Sequence, residues 1–257
     1  MDLKEFNKEI SEVFVTGINI LNKARALKDV SNELQLLAYN GVVLASKISS
    51  DQGKSLITLS RFLSELPDQI GPELMELEKR ASILACNLTN CTLEIKKLYQ
   101  YVLAIEKWYN MNFQKFNKNF ALKKSNGKLS IDINELNQIF SDSNTNKSEK
   151  NNIEIISKKI DDLWEQVEIY LSEIRNSFNL TENTLERIKR NGFIAEFMSS
   201  NILIESANLN SEKSNFISFV ENINNIIKKL YESLENINTK IYSGKNSLSL
   251  IKKTYEK

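Results

Sequence analysis

The stretch FISFVENINNIIKKLYESLENINTKI, residues 216–241, decides the fold. Its large apolar residues recur at alternating steps of four and three, and the pattern continues through Leu248, Ile251 and Tyr255 with only Gly244 out of character. Such a heptad, with both core positions filled over about five repeats, predicts one long supercoiled helix. The residues that define this core stripe are Phe216, Val220, Ile223, Ile227, Leu230, Leu234, Ile237 and Ile241.

Three other segments carry the same period. The first series comprises Leu3, Phe6, Ile10, Val13, Ile20, Ala24, Leu27 and Leu34. The second comprises Leu74, Leu77, Ala81, Leu84, Leu88, Cys91, Ile95, Leu98, Val102, Ile105, Tyr109 and Phe116. The third comprises Ile153, Ile156, Ile160, Leu163, Val167, Tyr170 and Ile174. Because a heptad stripe is buried best against another stripe of the same period, we expect the four helices to pack on each other.

Two short breaks and one long one separate the four series. A bend near 49–53, in the sequence Ser-Ser-Asp-Gln-Gly, is predicted between the first and second helices, and a bend near 208–212 between the third and fourth. Residues 122–152 are rich in Lys, Ser, Asn and Asp, which is typical of a linker. Within this linker, residues 131–140 are compatible with one short amphipathic helix.

The lengths of the predicted arms agree with one another. They are about 45, 60, 55 and 45 residues, which at ~1.5 Å per residue gives rods of roughly 65–90 Å. Pro67 and Pro72 are predicted to kink or interrupt the second arm. We therefore predict an all-α fold, an elongated antiparallel four-helix coiled-coil bundle. It consists of two tandem helical hairpins, 1–121 and 153–257, with both bends at the same end.

The sequence shows no arrangement of residues that is typical of a catalytic site. The chain has no histidine, which removes the commonest general base and the commonest metal ligand. Cys86 and Cys91 would point to different faces of a helix, so they cannot form a disulfide or a metal pair, and Cys91 on the apolar stripe is expected to be a buried thiol. No nucleophile is paired with a base. The sequence therefore predicts no enzyme, no cofactor, and no catalytic or metal site.

Charge and hydropathy restrict the partners. The formal net charge is +1, which gives no electrostatic footprint for nucleic acid or for an anionic membrane. No apolar run approaches the ~18–20 residues of a spanning helix, and residues 1–10 lack the apolar core of a signal peptide. From the sequence we expect no membrane span and a cytoplasmic location.

The second bend resembles the hairpin tip of methyl-accepting chemotaxis proteins, the bacterial chemoreceptors. The segment 201–207 reads Asn-Ile-Leu-Ile-Glu-Ser-Ala, and the return helix opens at a phenylalanine. Aligned without a gap, the residues that match the family tip are Asn201, Ile204, Glu205, Ala207 and Phe216. Phe193 falls where many receptors carry a phenylalanine that packs between receptor dimers, although burial in the core is the alternative for this side chain.

The first bend resembles a different part of the same tip. The segment 36–40, Leu-Leu-Ala-Tyr-Asn, is similar to the family's Leu-Leu-Ala-Leu-Asn, and 51–54, Asp-Gln-Gly-Lys, is similar to its Glu-x-Gly-Arg at the cost of one extra residue between them. The two resemblances imply an internal duplication, in which Asn40 corresponds to Asn201, and a single-chain pseudo-dimer. The candidate protein-binding residues are Asn40, Gly53, Lys54, Phe193, Asn201, Ile204, Glu205 and Phe216.

The chain also departs from the family pattern. Leu44 replaces the family's glutamate in the first copy, Asn208 its arginine in the second, and the glycines of the second bend are replaced by Asn210, Lys213 and Asn215. In the family this zone contacts the histidine kinase, the coupling adaptor and neighbouring receptors. The resemblance thus implies a cytoplasmic chemoreceptor-like signalling or scaffold protein that binds the chemotaxis kinase, the adaptor or receptor tips through its bends.

Two other interpretations fit a long helical chain. A helical-bundle cytolysin or secretion-associated protein would hide an apolar hairpin for membrane insertion, and no such segment occurs in the sequence. A structural coiled-coil spacer would tolerate substitution at the bends but not in the heptads. For Asn40 and Asn201, fixing the helix register or capping a bend is an alternative to contact with a partner.

Overall fold

Four long helices form the fold. The computed structural model describes residues 3–48, 51–112, 123–125, 128–130, 147–207, 209 and 213–256. The helices are α1 (Leu3–Ser46), α2 (Asp51–Asn112), α3 (Lys147–Ser206) and α4 (Lys213–Glu256). Their lengths of 44, 62, 60 and 44 residues agree with the arms predicted from the heptads.

The helices pack in a closed order. The packed pairs are α1 with α2, α2 with α3, α3 with α4, and α1 with α4. α1 with α2 and α3 with α4 are the two hairpins, and the pairs α2 with α3 and α1 with α4 join these hairpins into a bundle. The predicted all-α four-helix bundle of two tandem hairpins is therefore confirmed.

Burial of the heptad positions explains why the chain folds this way. The stripe residues of α4 from Phe216 to Ile251 are buried, as are those of α2 from Leu74 to Ile105. In α1 the described stripe residues are buried too, whereas in α3 Ile156 and Tyr170 are half-buried. Each fully buried aliphatic side chain contributes ~1.5–3 kcal/mol by leaving water, so the stripes supply the main drive to fold.

The prolines do not interrupt α2. The helix continues from Asp51 to Asn112 through both Pro67 and Pro72, so the predicted interruption is wrong. Pro67 is buried within a run of heptad positions that includes Leu66 and Ile70. An interior proline costs a helix ~3 kcal/mol, and burial of several neighbouring side chains outweighs that cost.

The segment between the hairpins contains a β-hairpin that the sequence reasoning missed. Strands β1 (Lys123–Ser125) and β2 (Lys128–Ser130) pair antiparallel, with Ser125 opposite Lys128. In the sequence these strands are separated by Asn-Gly, a strong signal for a two-residue hairpin. α3 begins at Lys147, earlier than the predicted 153, and the short helix predicted at 131–140 lies outside the described residues.

The chain divides into two compact units. Unit 1 comprises Met1–Thr16, Leu84–Asn176 and Ser243–Lys257, and unit 2 comprises Gly17–Ile83 and Ser177–Tyr242. Each unit draws on all four helices. The predicted segments 1–121, 122–152 and 153–257 follow the order of the chain. The two compact units, in contrast, each combine parts of both hairpins.

Within unit 1, aromatic packing joins α1 to α3. The rings of Phe6 and Trp164 have centroids 5.5 Å apart at an interplanar angle of 50°, and both side chains are buried. The indole Nε1 of Trp164 donates a hydrogen bond to Glu168 Oε1 at 3.1 Å. Trp164 is therefore a packing residue of unit 1.

Candidate protein-binding surface at the two bends

The first bend is a short reversal whose geometry explains one of the predicted residues. After α1 ends, the amides of Lys47 and Ile48 donate to the carbonyls of Leu44 and Ala45, both at 3.2 Å. Gly53, in the first turn of α2, is buried, and a Cβ at this position would collide with the backbone carbonyl of Ile48. A glycine is needed here because the returning helix passes close to the preceding backbone.

The second bend ends its helix in the same manner. The amides of Ala207 and Leu209 donate to the carbonyls of Ile204 and Ser206 at 3.1 and 3.0 Å. The hydroxyl of Ser206 donates to the Leu203 carbonyl at 2.9 Å, as that of Ser46 donates to Val43 at 2.8 Å in the first bend. Both helices therefore satisfy their last carbonyls locally before the chain reverses.

Contacts within unit 2 bring the two bends to the same end of that unit. Phe219, near the start of α4, lies against Gly41, near the end of α1, so closely that a Cβ on Gly41 would overlap the ring. The Phe219 ring in turn packs edge-on against Phe216, with centroids 6.3 Å apart and an interplanar angle of 86°. The bends thus share one aromatic cluster beneath them.

Polar contacts define the order of the helices around unit 2. Arg25 and Glu78 link α1 to α2 at 3.1 Å, and Arg187 and Glu73 link α3 to α2 at 2.7 Å. Lys229 and Glu33 link α4 to α1 at 3.1 Å, and Ser199 Oγ donates to Asn224 Oδ1 at 2.5 Å between α3 and α4. These ion pairs are solvent-exposed and each contributes less than ~1 kcal/mol, so they orient the helices more than they stabilise them.

The structure places the eight predicted residues at three depths. The exposed ones are Asn40, Lys54, Phe193 and Ile204, the half-buried ones are Asn201 and Glu205, and the buried ones are Gly53 and Phe216. Phe193 is 66% exposed, so the alternative of a buried core position is wrong for this side chain. Gly53 and Phe216 shape the bends from beneath and present no side chain to a partner.

The sequence reasoning missed a set of exposed apolar residues on two helices. They occupy the outermost positions of the heptads, alternately one and two residues after a buried core position of α1 or α3, where polar residues are usual. On α1 these apolar residues are Leu36, Tyr39 and Val43, and on α3 they are Phe193, Phe197 and Ile204. The signal was present in the sequence, because these residues continue a step of four and three outside the core stripe.

A groove between α3 and α4 lies on the same unit. It has a volume of about 610 Å³, and its lining includes Leu185, Glu186, Glu196 and Tyr231. The pKa of Tyr231 is raised by burial and then by Glu196, which accepts its hydrogen bond. The phenol therefore stays protonated and serves as a hydrogen-bond donor rather than as a base.

The two thiols differ in their surroundings. Cys86 is exposed and Cys91 is buried in unit 1. Burial first, and the carboxylate of Glu94 second, raise the pKa of Cys91 from its ordinary value of 9.0 to about 12. Because the folded state holds this proton more tightly than the unfolded state, the group's contribution to stability is complete below about pH 9 and declines as pH rises towards 12.

A thiol count tests this difference. At mildly alkaline pH the native protein should react with a thiol reagent at Cys86 alone, and Cys91 should react only after denaturant is added. The variant Cys86→Ser should show no fast thiol, and Cys91→Ala should keep one. Two fast thiols in the native wild type would contradict the buried position of Cys91.

Metal-binding clusters and membrane-spanning helices are absent from the described part of the chain. Among the described residues no group of three His, Cys, Asp or Glu side chains could hold a metal ion. Over the same residues, none of the helices combines the length and the hydropathy that crossing a bilayer requires. What the bends present is an exposed surface of apolar and amide side chains, which is suited to binding another protein.

Comparison of the chain with protein-family models, with curated proteins and with solved structures finds no match.

Proposed function

We propose that this chain is a cytoplasmic chemoreceptor-like scaffold that binds chemotaxis signalling proteins through its two bends. The chemotaxis histidine kinase, its coupling adaptor and the tips of receptors are the proposed partners. The observation that carries the proposal is the exposure of Ile204 beside a bend whose sequence resembles the receptor tip, together with that of Phe193 about 20 Å along the same helix.

The arrangement of the bends supports binding by one chain. A receptor tip is made by two chains, whereas here both bends belong to unit 2 and share the Phe216–Phe219 cluster. Asn40 and Ile204 on the two bends are exposed, and Glu205 is half-buried next to Ile204. A single copy can therefore present both halves of a tip-like surface.

The departures from the family pattern favour an accessory role. The residues that replace the family's glutamate and arginine, Leu44 and Asn208, remove charges that the family uses for contact. A chain that has lost these charges is better suited to holding partners together than to switching a kinase. We therefore propose a scaffold of the signalling array rather than a receptor.

Co-precipitation tests the proposal. The tagged chain should recover the chemotaxis kinase and adaptor from cells, and Phe193→Ala or Glu205→Ala should lower the recovery at least several-fold. The matched control is Tyr242→Ala, because Tyr242 is an equally exposed aromatic residue (69%) of the same unit at a distance along α4 from the bend. Equal recovery with all variants, or no recovery with the wild type, would reject the proposed partners.

A further inference from the structure

The outermost heptad positions of α1 and α3 form two matching surfaces in unit 2. The α1 outer face consists of Arg25, Asp29, Asn32, Leu36, Tyr39 and Val43. The α3 outer face consists of Glu186, Arg190, Phe193, Phe197, Ser200 and Ile204. All twelve side chains are exposed, and each residue of the second set lies 161 positions, a whole number of heptads, after its equivalent in the first.

Near the bends, the apolar residues at the outer heptad positions are concentrated on α1 and α3, whereas on α2 and α4 the exposed Met75 and Tyr242 lie farther along the helices. At the corresponding outer positions near the bends, α2 carries Lys54, Thr58, Arg61, Glu65, Asp68 and Pro72, and α4 carries Ser218, Glu221, Asn225, Lys228, Glu232 and Glu235. By contrast, Leu36 is 67% exposed and Phe197 is 58% exposed. Contiguous apolar surface of this kind is costly in water at ~25 cal/mol per Å², which favours a partner that covers it.

Charge complementarity fits a second copy of the chain as that partner. Arg25 of the α1 outer face is equivalent to Glu186 of the α3 outer face, and Asp29 is equivalent to Arg190. When an α1 outer face meets an α3 outer face in parallel and in register, both pairs have opposite signs. When either face meets its own kind in the same register, every one of these charges meets a like charge.

The apolar residues agree with the same register. Leu36 comes opposite Phe197, and Val43 comes opposite Ile204. Phe193 covers Asn32, and Tyr39 meets Ser200, whose small side chain accommodates a ring. The charged pairs therefore lie away from the bends and the apolar pairs beside them, which is the composition of a small interface with a polar edge.

We propose that copies of this chain associate side by side, the α1 outer face of one copy packing in parallel on the α3 outer face of the next. The two faces lie on helices that are not neighbours in the packing order of the described residues. The contact is therefore heterologous, and it builds a closed ring or an open row rather than a two-fold dimer. This inference goes beyond the proposed function, because it rests on exposure and charge and not on the resemblance. Since both proposals use Phe193 and Ile204, a second copy and a signalling partner would compete for this surface.

Sedimentation velocity with two blocked variants tests the heterologous contact. The wild type should form species larger than a dimer as its concentration rises. Leu36→Asp blocks the α1 outer face and Phe197→Asp blocks the α3 outer face, so each variant alone should stay monomeric, and an equimolar mixture should stop at a dimer. Helical circular dichroism should be unchanged, because both positions are exposed.

Charge exchange provides an independent test in the same assay. Reversing one face with Glu186→Arg and Arg190→Asp should weaken association by about tenfold, and adding Arg25→Glu and Asp29→Arg should restore it. A wild type that is monomeric at every concentration would overturn the proposal. So would dimers of Leu36→Asp alone, or a fourfold variant that associates no better than the twofold one.

Discussion

Trp164→Ala should lower the free energy of unfolding by about 4 kcal/mol, the largest effect that we expect from a single substitution. Trp164 is 2% exposed and packs on Phe6 with ring centroids 5.5 Å apart, so its removal leaves a cavity between α1 and α3. The loss combines the transfer of a large aromatic side chain with the cost of an unfilled space. Urea denaturation followed by circular dichroism measures it.

Ile169→Ala is the matched control for this prediction. Ile169 lies on the same helix and in the same unit but is 45% exposed, so its truncation should change stability by less than about 0.5 kcal/mol. Trp164→Phe should fall between the two, because it keeps an aromatic ring against Phe6. If Trp164→Ala were as mild as Ile169→Ala, the packing of α1 on α3 in unit 1 would be incorrect.

Gly41→Ala should destabilise unit 2 by about 1–3 kcal/mol, even though alanine is the better helix former. A Cβ at this position would overlap the ring of Phe219, which is buried and cannot move without disturbing Phe216. The same substitution at Gly71 is the control, because a Cβ there meets no atom within 4 Å beyond its neighbours in the chain. Gly71→Ala should destabilise the protein less than Gly41→Ala, because the gain in helix propensity is offset by the contact of the Cβ with the ring of Pro72.

A double-mutant cycle isolates the contact. Phe219→Leu removes the end of the ring that meets Gly41, so Gly41→Ala should be much less harmful in that background. The double variant should therefore be less destabilised than the sum of the two single variants, by about 1 kcal/mol or more. Additive effects, or stabilisation by Gly41→Ala in the wild type, would show that α1 and α4 do not approach each other here.

The features that the sequence predicted well are those set by local periodicity. Heptad spacing determines which side of a helix is buried, so positions such as Ile223 and Leu88 could be assigned to the core without knowing their partners. The bends could be located because the periodic pattern stops there. Helix lengths followed from the same boundaries.

The features that the sequence predicted poorly depend on competition between a local preference and tertiary packing, or on contacts between residues that are far apart in the chain. Pro67 has a strong local tendency to break a helix, and burial among neighbouring heptad residues overrides it. The role of Gly41 depends on Phe219, which is far away in the chain and comes close only when α1 and α4 are in register. The pairing of β1 with β2 was missed because the segment was assigned as a linker from its polar composition, although its Asn-Gly pair is a hairpin signal.

The candidate surface was predicted in part. The resemblance to the receptor tip directed attention to Phe193 and Ile204, and both are exposed on α3. It also included Phe216 and Gly53, which are buried. Packing inside the bend, rather than contact with a partner, explains why these two positions carry a phenylalanine and a glycine. The α1 outer face was not predicted, although the spacing of Leu36, Tyr39 and Val43 outside the core stripe indicates that these side chains are exposed.

Oxidative footprinting of the chain, dilute and alone or with the purified chemotaxis kinase–adaptor complex, tests the central claim most directly. The claim is that the outer faces of α1 and α3 beside the bends are the surface by which this protein binds others. The complex should protect Tyr39, Phe193 and Phe197 from oxidation and leave Tyr242 and Met75 as reactive as before, since all five are more than half exposed in the free chain. Unchanged oxidation of the first three, or protection confined to Tyr242 and Met75, would contradict it.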